Sequence, residues 1–185
     1  MPFDLLKSDL VYHGRAFDVR LDQVRLPDGG ATSLDIVEHN PAVLLVPLEA
    51  DGSLWLVRQY RHAAGEDLLE FPAGSLEPGE DPAEGAQREL REETGLRADE
   101  LVDLGGFYLA PGYSTEYIHV FLARRLAADP LPGDDDEWME VEKRSLPALL
   151  AMAQKGEFRD AKSLAALQLA APYLVPDRGL VQAGD

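Results

Sequence analysis

Residues 74 to 96 read GSLEPGEDPAEGAQRELREETGL, and this stretch carries its own start and stop signals for a helix. Asp81 suits a cap, Pro82 the first helical position, Glu84 the far corner of a capping box, and Gly95 a left-handed stop. These signals predict a helix over residues 82 to 94. Ala83, Ala86 and Leu90 then form one apolar stripe, while Glu89, Glu92 and Glu93 project from another side. Arg88 can relieve Glu84 and Glu92. Glu89 and Glu93, one turn apart, lack an equivalent partner, and like charges at that spacing cost roughly a few tenths of a kcal/mol. A cation between them would reverse the sign. Taken alone, the cluster also reads as an ordinary solvated acidic face.

Outward from this helix the pattern is mostly strand. DLLEFPAG (67 to 74) leads into it; PAVLLVPL (41 to 48), apolar at almost every position, reads as a strand covered on both faces. The turn EADGS (49 to 53) connects that run to LWLVRQYR (54 to 61), and the two strands are expected at the centre of one sheet. Strands are expected from residue 16 onward. FDVRL alternates apolar with polar, the phase shifts before Val24 as at a bulge, and PDGG (27 to 30) supplies hairpin chemistry. Beyond the helix come LVDLGGFYLA, the loop PGYST, and the alternating EYIHVFLA (116 to 123). An acidic turn, DPLPGDDDE (129 to 137), precedes a short strand WMEVEK. Two helices close the chain, one stopped at Gly156 and one capped by Asp160, before a tail. The domain reading is an N-terminal strand region over 1–38, a catalytic domain over 39–175 and a frayed tail over 176–185.

Composition narrows the function. The chain has 185 residues, enough for one domain with a sizeable core, and its 17 basic and 34 acidic residues give a net charge of −17. That charge is unfavourable for general attachment to nucleic acid or an acidic membrane, so an anionic substrate needs local cations. With no cysteine there is no disulfide, thiolate metal site or cysteine nucleophile. The N-terminus lacks a basic region followed by an apolar run, and no window approaches eighteen apolar residues; the expectation is a cytoplasmic protein. His13, His39, His62 and His119 are scattered without ligand spacing, and no GxSxG elbow appears. Trp55 and Trp138 read as core or interface residues.

The quoted stretch matches position for position the box of the Nudix hydrolases: Gly74, Glu80, Arg88, Glu89, Leu90, Glu92, Glu93, Gly95 and Leu96. The resemblance implies an α/β fold, an α/β/α sandwich with a mixed sheet, here preceded by an N-terminal antiparallel strand region. It also implies a loop, helix and loop that bind divalent metal against a diphosphate. Hard oxygen ligands suit Mg²⁺ or Mn²⁺. Glu89 and Glu93 would share the metal with the backbone carbonyl of Ala73, and Arg88 would hold Glu80 or Glu92 in place.

Beyond the box the chain resembles the ADP-ribose pyrophosphatase branch, through EHNPAV (38 to 43), VRQYR (57 to 61), LEFPAG (69 to 74) and APGYSTE (110 to 116), with Pro111 sixteen residues past Gly95. That likeness implies hydrolysis of ADP-ribose to AMP and ribose 5-phosphate, with Arg61 on the diphosphate and Glu116 on the substrate. Arg61 alternatively reads as a surface residue at a strand end, and Glu70 as a pocket residue or a strand-edge charge. Tyr113 and Phe17 are candidates for stacking on the base. The resemblance further implies a homodimer paired through the N-terminal strands. In the related enzymes a glutamate of the acidic loop activates the water and a second, two residues later, joins the metal. Here those positions hold Asp135 and Glu137, a departure that leaves Glu137, Asp135, Glu140 and the box residue Glu92 as candidate bases. Rival readings are a pyrophosphatase for GDP-mannose, ADP-glucose or FAD, and a non-catalytic module that senses a nucleotide.

Overall fold

A computed structural model describes residues 3–133 and 138–174. The chain opens with an antiparallel sheet of three strands, β1 (Asp4–His13), β2 (Asp18–Arg25) and β3 (Ala31–Glu38), in that order. The β2–β3 hairpin closes as PDGG suggests: Gly29, with φ at 88°, donates to the Leu26 carbonyl at 2.9 Å, and Leu26 donates to Gly30 at 2.8 Å. Strands begin earlier than residue 16. The irregularity expected before Val24 lies on the opposing strand, where β1 inserts an extra residue between the pairs Leu5–Val24 and Lys7–Gln23. A second shift separates Leu10 from Tyr12, and together the two break the alternation that would mark β1 as a strand.

Two further sheets form the main body. One is mixed, with order β7-β4-β9-β8, built from β4 (Ala42–Pro47), β7 (Ala73–Ser75), β8 (Leu96–Tyr108) and β9 (Tyr117–Ala128); β4 and β9 run parallel and the outer pairs antiparallel. The other is antiparallel, with order β10-β5-β6, from β5 (Ser53–Arg61), β6 (Glu66–Glu70) and β10 (Met139–Ser145). The runs at 41–48 and 54–61 are therefore interior strands of two different sheets, joined by a single Leu48–Leu54 bridge, and not the centre of one.

All six residues of β4 are buried because each face has its own cover. Val43 and Leu45 pack with Phe121 and Ala123 under Ala86 and Leu90 of helix α1 (Pro82–Thr94). Ala42, Leu44 and Val46 pack with Ile118, Val120 and Leu122 against Leu54, Leu56, Phe71 and the closing helices α2 (Leu146–Gln154) and α3 (Ala161–Leu174). The result is the layered α/β arrangement the resemblance implied. Burying a side chain such as Leu90 contributes about 1.5–3 kcal/mol, and Leu90 is fully buried where α1 meets the sheet. Asp81 caps α1, accepting from the Ala83 and Glu84 amides, and Gly95 ends it at φ 71°. Among the described residues no helix is long and apolar enough to cross a membrane.

Candidate active site

The site grows from the seam between β7 and α1. The register places Gly74 opposite Val43 on the sheet face that α1 covers, and Glu89 projects from α1 directly over that glycine. A Cβ at position 74 would lie within 3.0 Å of all three carboxylate atoms of Glu89, a separation real Cβ atoms essentially never show. Glycine here leaves room for the Glu89 carboxylate in its observed position. One turn on, Glu93 accepts the Ala73 amide on Oε2 at 3.0 Å, tying the end of α1 to the start of β7. Glu89 and Glu93 are 8% and 9% exposed. Two carboxylates taken so far out of water need compensating donors or cations.

Arg88 supplies part of that compensation. It grips Glu80 with Nε on Oε1 at 2.9 Å and Nη2 on Oε2 at 3.0 Å, and its Nη1 reaches Glu89 Oε1 at 2.7 Å and Glu92 Oε2 at 3.0 Å. The expectation that Glu89 stands without a basic partner is therefore corrected: its own neighbour in sequence turns back onto it. Arg88, expected to hold Glu80 or Glu92, contacts both. Its bonds to Glu80 keep Arg88 charged more firmly than a free guanidinium, against the effect of burial, and Arg88 in turn lowers Glu80 below the usual carboxylate range.

A second cation lies on the other sheet. Arg61, at the end of β5, meets Glu70, at the end of β6, in a two-pronged pair: Nε to Oε1 at 2.8 Å and Nη2 to Oε2 at 2.7 Å. Glu70 is 1% exposed, so although β6 is the outer strand of its sheet this carboxylate is buried and not a solvated edge charge. Burial pushes its carboxyl up, but the bonds from Arg61 and Lys162 outweigh this and leave it below the ordinary value. Arg61 is held charged chiefly by Glu70, with a further contribution from the charge of Glu93.

The loop after β8 carries three further candidates. Pro111 and Tyr113 are exposed at its tip, and Glu116 is half-buried at the start of β9. The loop is stitched to the N-terminal sheet: Val37 donates to the Tyr113 carbonyl at 2.8 Å, Thr115 to Val37 at 3.0 Å, and His39 to the Thr115 hydroxyl at 3.0 Å. Phe17 lies in the β1–β2 connection, exposed and in tilted contact with Tyr12 at 6.4 Å. Its described ring partner is in its own hairpin and not at the carboxylates. Trp138 projects into solvent at 86% exposure and is not a core residue. Trp55 donates to Glu49 at 2.9 Å under the Lys143 ammonium.

The structure thus groups Ala73, Gly74, Glu80, Arg88, Glu89, Glu92, Glu93 and Gly95 in one seam, with Arg61 and Glu70 beside them. Asp135 and Glu137 lie outside the described residues, as does the tail from residue 175. Sequence reading missed Lys162, Ser163 and the reach of Asp160: Lys162 Nζ contacts Glu70, and the Ser163 hydroxyl accepts the Phe71 amide at 2.8 Å. The available signal was a lysine and a serine in the first turn of an otherwise apolar helix. His119, expected to be one of four histidines without ligand spacing, meets the Tyr117 ring edge-on at 4.9 Å and pairs with Val43 in the same row as Gly74.

Among the described residues no three His, Cys, Asp or Glu side chains converge as a complete metal cage. Two buried glutamates over a glycine nevertheless fit a hard cation of the Mg²⁺ kind, which keeps several waters and takes one or two carboxylates plus substrate phosphates.

Comparison with known proteins agrees with this geometry. The NUDIX domain profile matches residues 38–167. The chain is 36% identical over 165 residues to the ADP-ribose pyrophosphatase of Bacillus subtilis (strain 168), covering 88% of this chain and 89% of that one. It is 34% identical over 179 residues to the GDP-mannose pyrophosphatase of Yersinia enterocolitica, covering 90% of each. A solved structure of an ADP compounds hydrolase superposes with a TM-score of 0.85 at 28% identity, over 94% of this chain and 95% of that one.

Proposed function

This chain belongs to the NUDIX family, and on that premise we propose that it hydrolyses the diphosphate of ADP-ribose to AMP and ribose 5-phosphate. The oxygen of water bonds to one phosphorus as the bridging P–O bond breaks, and the water's proton passes to a carboxylate base. The observation that supports the reading is the pair of buried carboxylates one turn apart on α1, Glu89 seated over Gly74 and Glu93 accepting the Ala73 amide. Carboxylates so placed are what a metal-bound diphosphate requires of its host.

NUDIX hydrolases use divalent metals, and Glu89, Glu93 and the Ala73 carbonyl would hold Mg²⁺ or Mn²⁺ here. When bound, such an ion neutralises phosphate oxygens and lowers the pKa of water. The remaining work belongs to the protein. Arg61 binds the diphosphate, Glu116 and the Pro111–Tyr113 loop orient the substrate, and Arg88 fixes Glu80, Glu89 and Glu92 in their places. Glu92 is a weak candidate for the base, because its carboxylate is already engaged by Arg88 at 3.0 Å. Glu137 is the stronger candidate, with Asp135 one methylene shorter.

The exposed apolar side chains of β1, Leu5, Leu10, Val11 and Tyr12, support pairing with a second copy, which would bring Phe17 or Tyr113 to the base. Sedimentation that shows only monomer at micromolar concentration removes the shared site. For substrate, a product screen with ADP-ribose, GDP-mannose, ADP-glucose and FAD, each with Mg²⁺ and Mn²⁺, decides. ADP-ribose is expected to exceed GDP-mannose in kcat/KM by at least about tenfold, roughly 1.4 kcal/mol of transition-state discrimination. The similarity to a GDP-mannose pyrophosphatase favours that sugar as the second reading, and the reverse order would establish it.

A further inference from the structure

Lys162 occupies the first turn of α3, where a lysine ordinarily extends into water; here its side chain is only 14% exposed. Its ammonium is held between Glu70 Oε2 and Asp160 Oδ2, the latter at 2.9 Å. The ammonium cannot drift, because the turn that carries it is anchored twice. Asp160 accepts the Ser163 amide at 3.0 Å, and the Ser163 hydroxyl accepts the amide of Phe71, the residue after Glu70.

Glu70 therefore faces cations on two sides. Arg61 Nε takes one oxygen; Arg61 Nη2 and Lys162 Nζ share the other. A buried carboxylate facing one guanidinium alone draws that guanidinium onto itself and cancels most of its field. A second cation behind it divides the carboxylate's attraction, so the first keeps both its orientation and its outward charge. Arg61 retains that outward edge: its side chain is 40% exposed, and its Nη1 makes no hydrogen bond among the described residues.

We propose that Lys162 is a positioning residue for Arg61, holding Glu70 from the α3 side so that the Nη1 edge of the guanidinium is presented to a diphosphate oxygen of the substrate. The proposal rests on the reading of Arg61 as the diphosphate contact. Lys162 touches no reacting atom, and its effect reaches the substrate only through Glu70 and Arg61.

The test is steady-state kinetics with ADP-ribose at saturating Mg²⁺ for K162M, K162Q and K162R, each in the wild-type and the R61A background, with melting temperature recorded alongside. K162Q can still donate to Glu70, which keeps the fold accessible if K162M is unstable. The neutral variants are expected to raise KM at least about fivefold with kcat within about threefold, and K162R to stay within about twofold in both. In the R61A background K162M should add less than about twofold, because the group it acts through is gone. A purely structural lysine lowers the melting temperature and the active fraction, leaves KM alone, and acts equally in both backgrounds. The proposal is overturned if the neutral variants keep the wild-type KM while R61A raises it, or if K162M raises KM as much without Arg61 as with it. If R61A itself leaves KM unchanged for every nucleoside diphosphate tried, the assignment of Arg61 fails first.

Discussion

Replacing Gly74 by alanine tests the seam most directly. The φ angle of Gly74 is not among the positive values, so alanine can adopt the backbone, and the added methyl group is the whole perturbation. It would stand inside 3.0 Å of the Glu89 carboxylate, whereas ordinary contact begins at 3.4 Å. The obstacle is the far end of a flexible side chain, so the fold can relieve the clash cheaply by withdrawing the carboxylate about 1 Å. A displacement of that size in a catalytic constellation costs on the order of a hundredfold in rate. Glu89 cannot simply swing free, since Arg88 holds it at 2.7 Å and the same guanidinium is committed to Glu80 and Glu92. The expected result is a fall in kcat of about a hundredfold with ADP-ribose and Mg²⁺, and a melting temperature lowered by no more than a few degrees. Folded G74A with kcat within about threefold of the parent would refute the claim that Glu89 must sit over Gly74 for turnover.

Three further outcomes follow from the same geometry. Chelation should abolish hydrolysis and Mg²⁺ restore it, and Glu93→Gln, which keeps the bond from Ala73 but removes a charge, should lower kcat by at least about a hundredfold with the fold intact by circular dichroism. Glu137→Gln should cost at least about a hundredfold in kcat with KM little changed, and Asp135→Asn less; if Glu92→Gln or Glu140→Gln abolishes turnover while Glu137→Gln does not, the base lies there. Glu80 is held below its ordinary 4.5 by the bonds from Arg88, so its stabilising contribution is complete above that pH and lost as pH falls through the lower folded value. The melting temperature should thus be level from neutrality to about pH 5 and fall below it, and Glu80→Gln should melt lower at pH 6 with a shallower acid slope.

The helix α1 was legible because its determinants are local: Asp81, Pro82 and Gly95 each act within a turn of their own position. β4 was legible for a different reason, since a strand covered on both faces must be apolar at every residue whatever covers it. What the composition of two apolar strands does not contain is their partner. β4 pairs with β7 and β9, and β5 with β6 and β10, so the division into two sheets arises from register across distant segments. β1 escaped notice because two inserted residues alternate its faces out of phase, and because Leu5, Leu10 and Val11 are exposed where a strand pattern would bury one set.

The same division between local and distant information runs through the site. Glu89 and Glu93 announce themselves by helical spacing, but whether they are paired depends on which way Arg88 turns. It turns toward Glu89 because Glu80, eight residues earlier in the loop, draws the guanidinium across the helix face. Arg61 and Glu70 each admit a plain reading in the sequence, as a surface arginine and a strand-edge charge. Register sets Arg61 opposite Glu66 and Glu70 opposite Val57, so their two-pronged bond runs diagonally along the hairpin, a contact that no local pattern announces. Lys162 is further still, in a helix whose first turn looks solvated until Ser163 is seen to hold Phe71. A buried carboxylate is the marker that ties these pieces together. Glu70 at 1% exposure demands cations, and the chain supplies them from β5 and from α3. The carboxylate that fixes Arg61 is therefore gripped from opposite sides by β5 and α3, Arg61 and Lys162 sharing one oxygen, so the orientation of that guanidinium is a property of the assembled fold and not of the QYR motif alone.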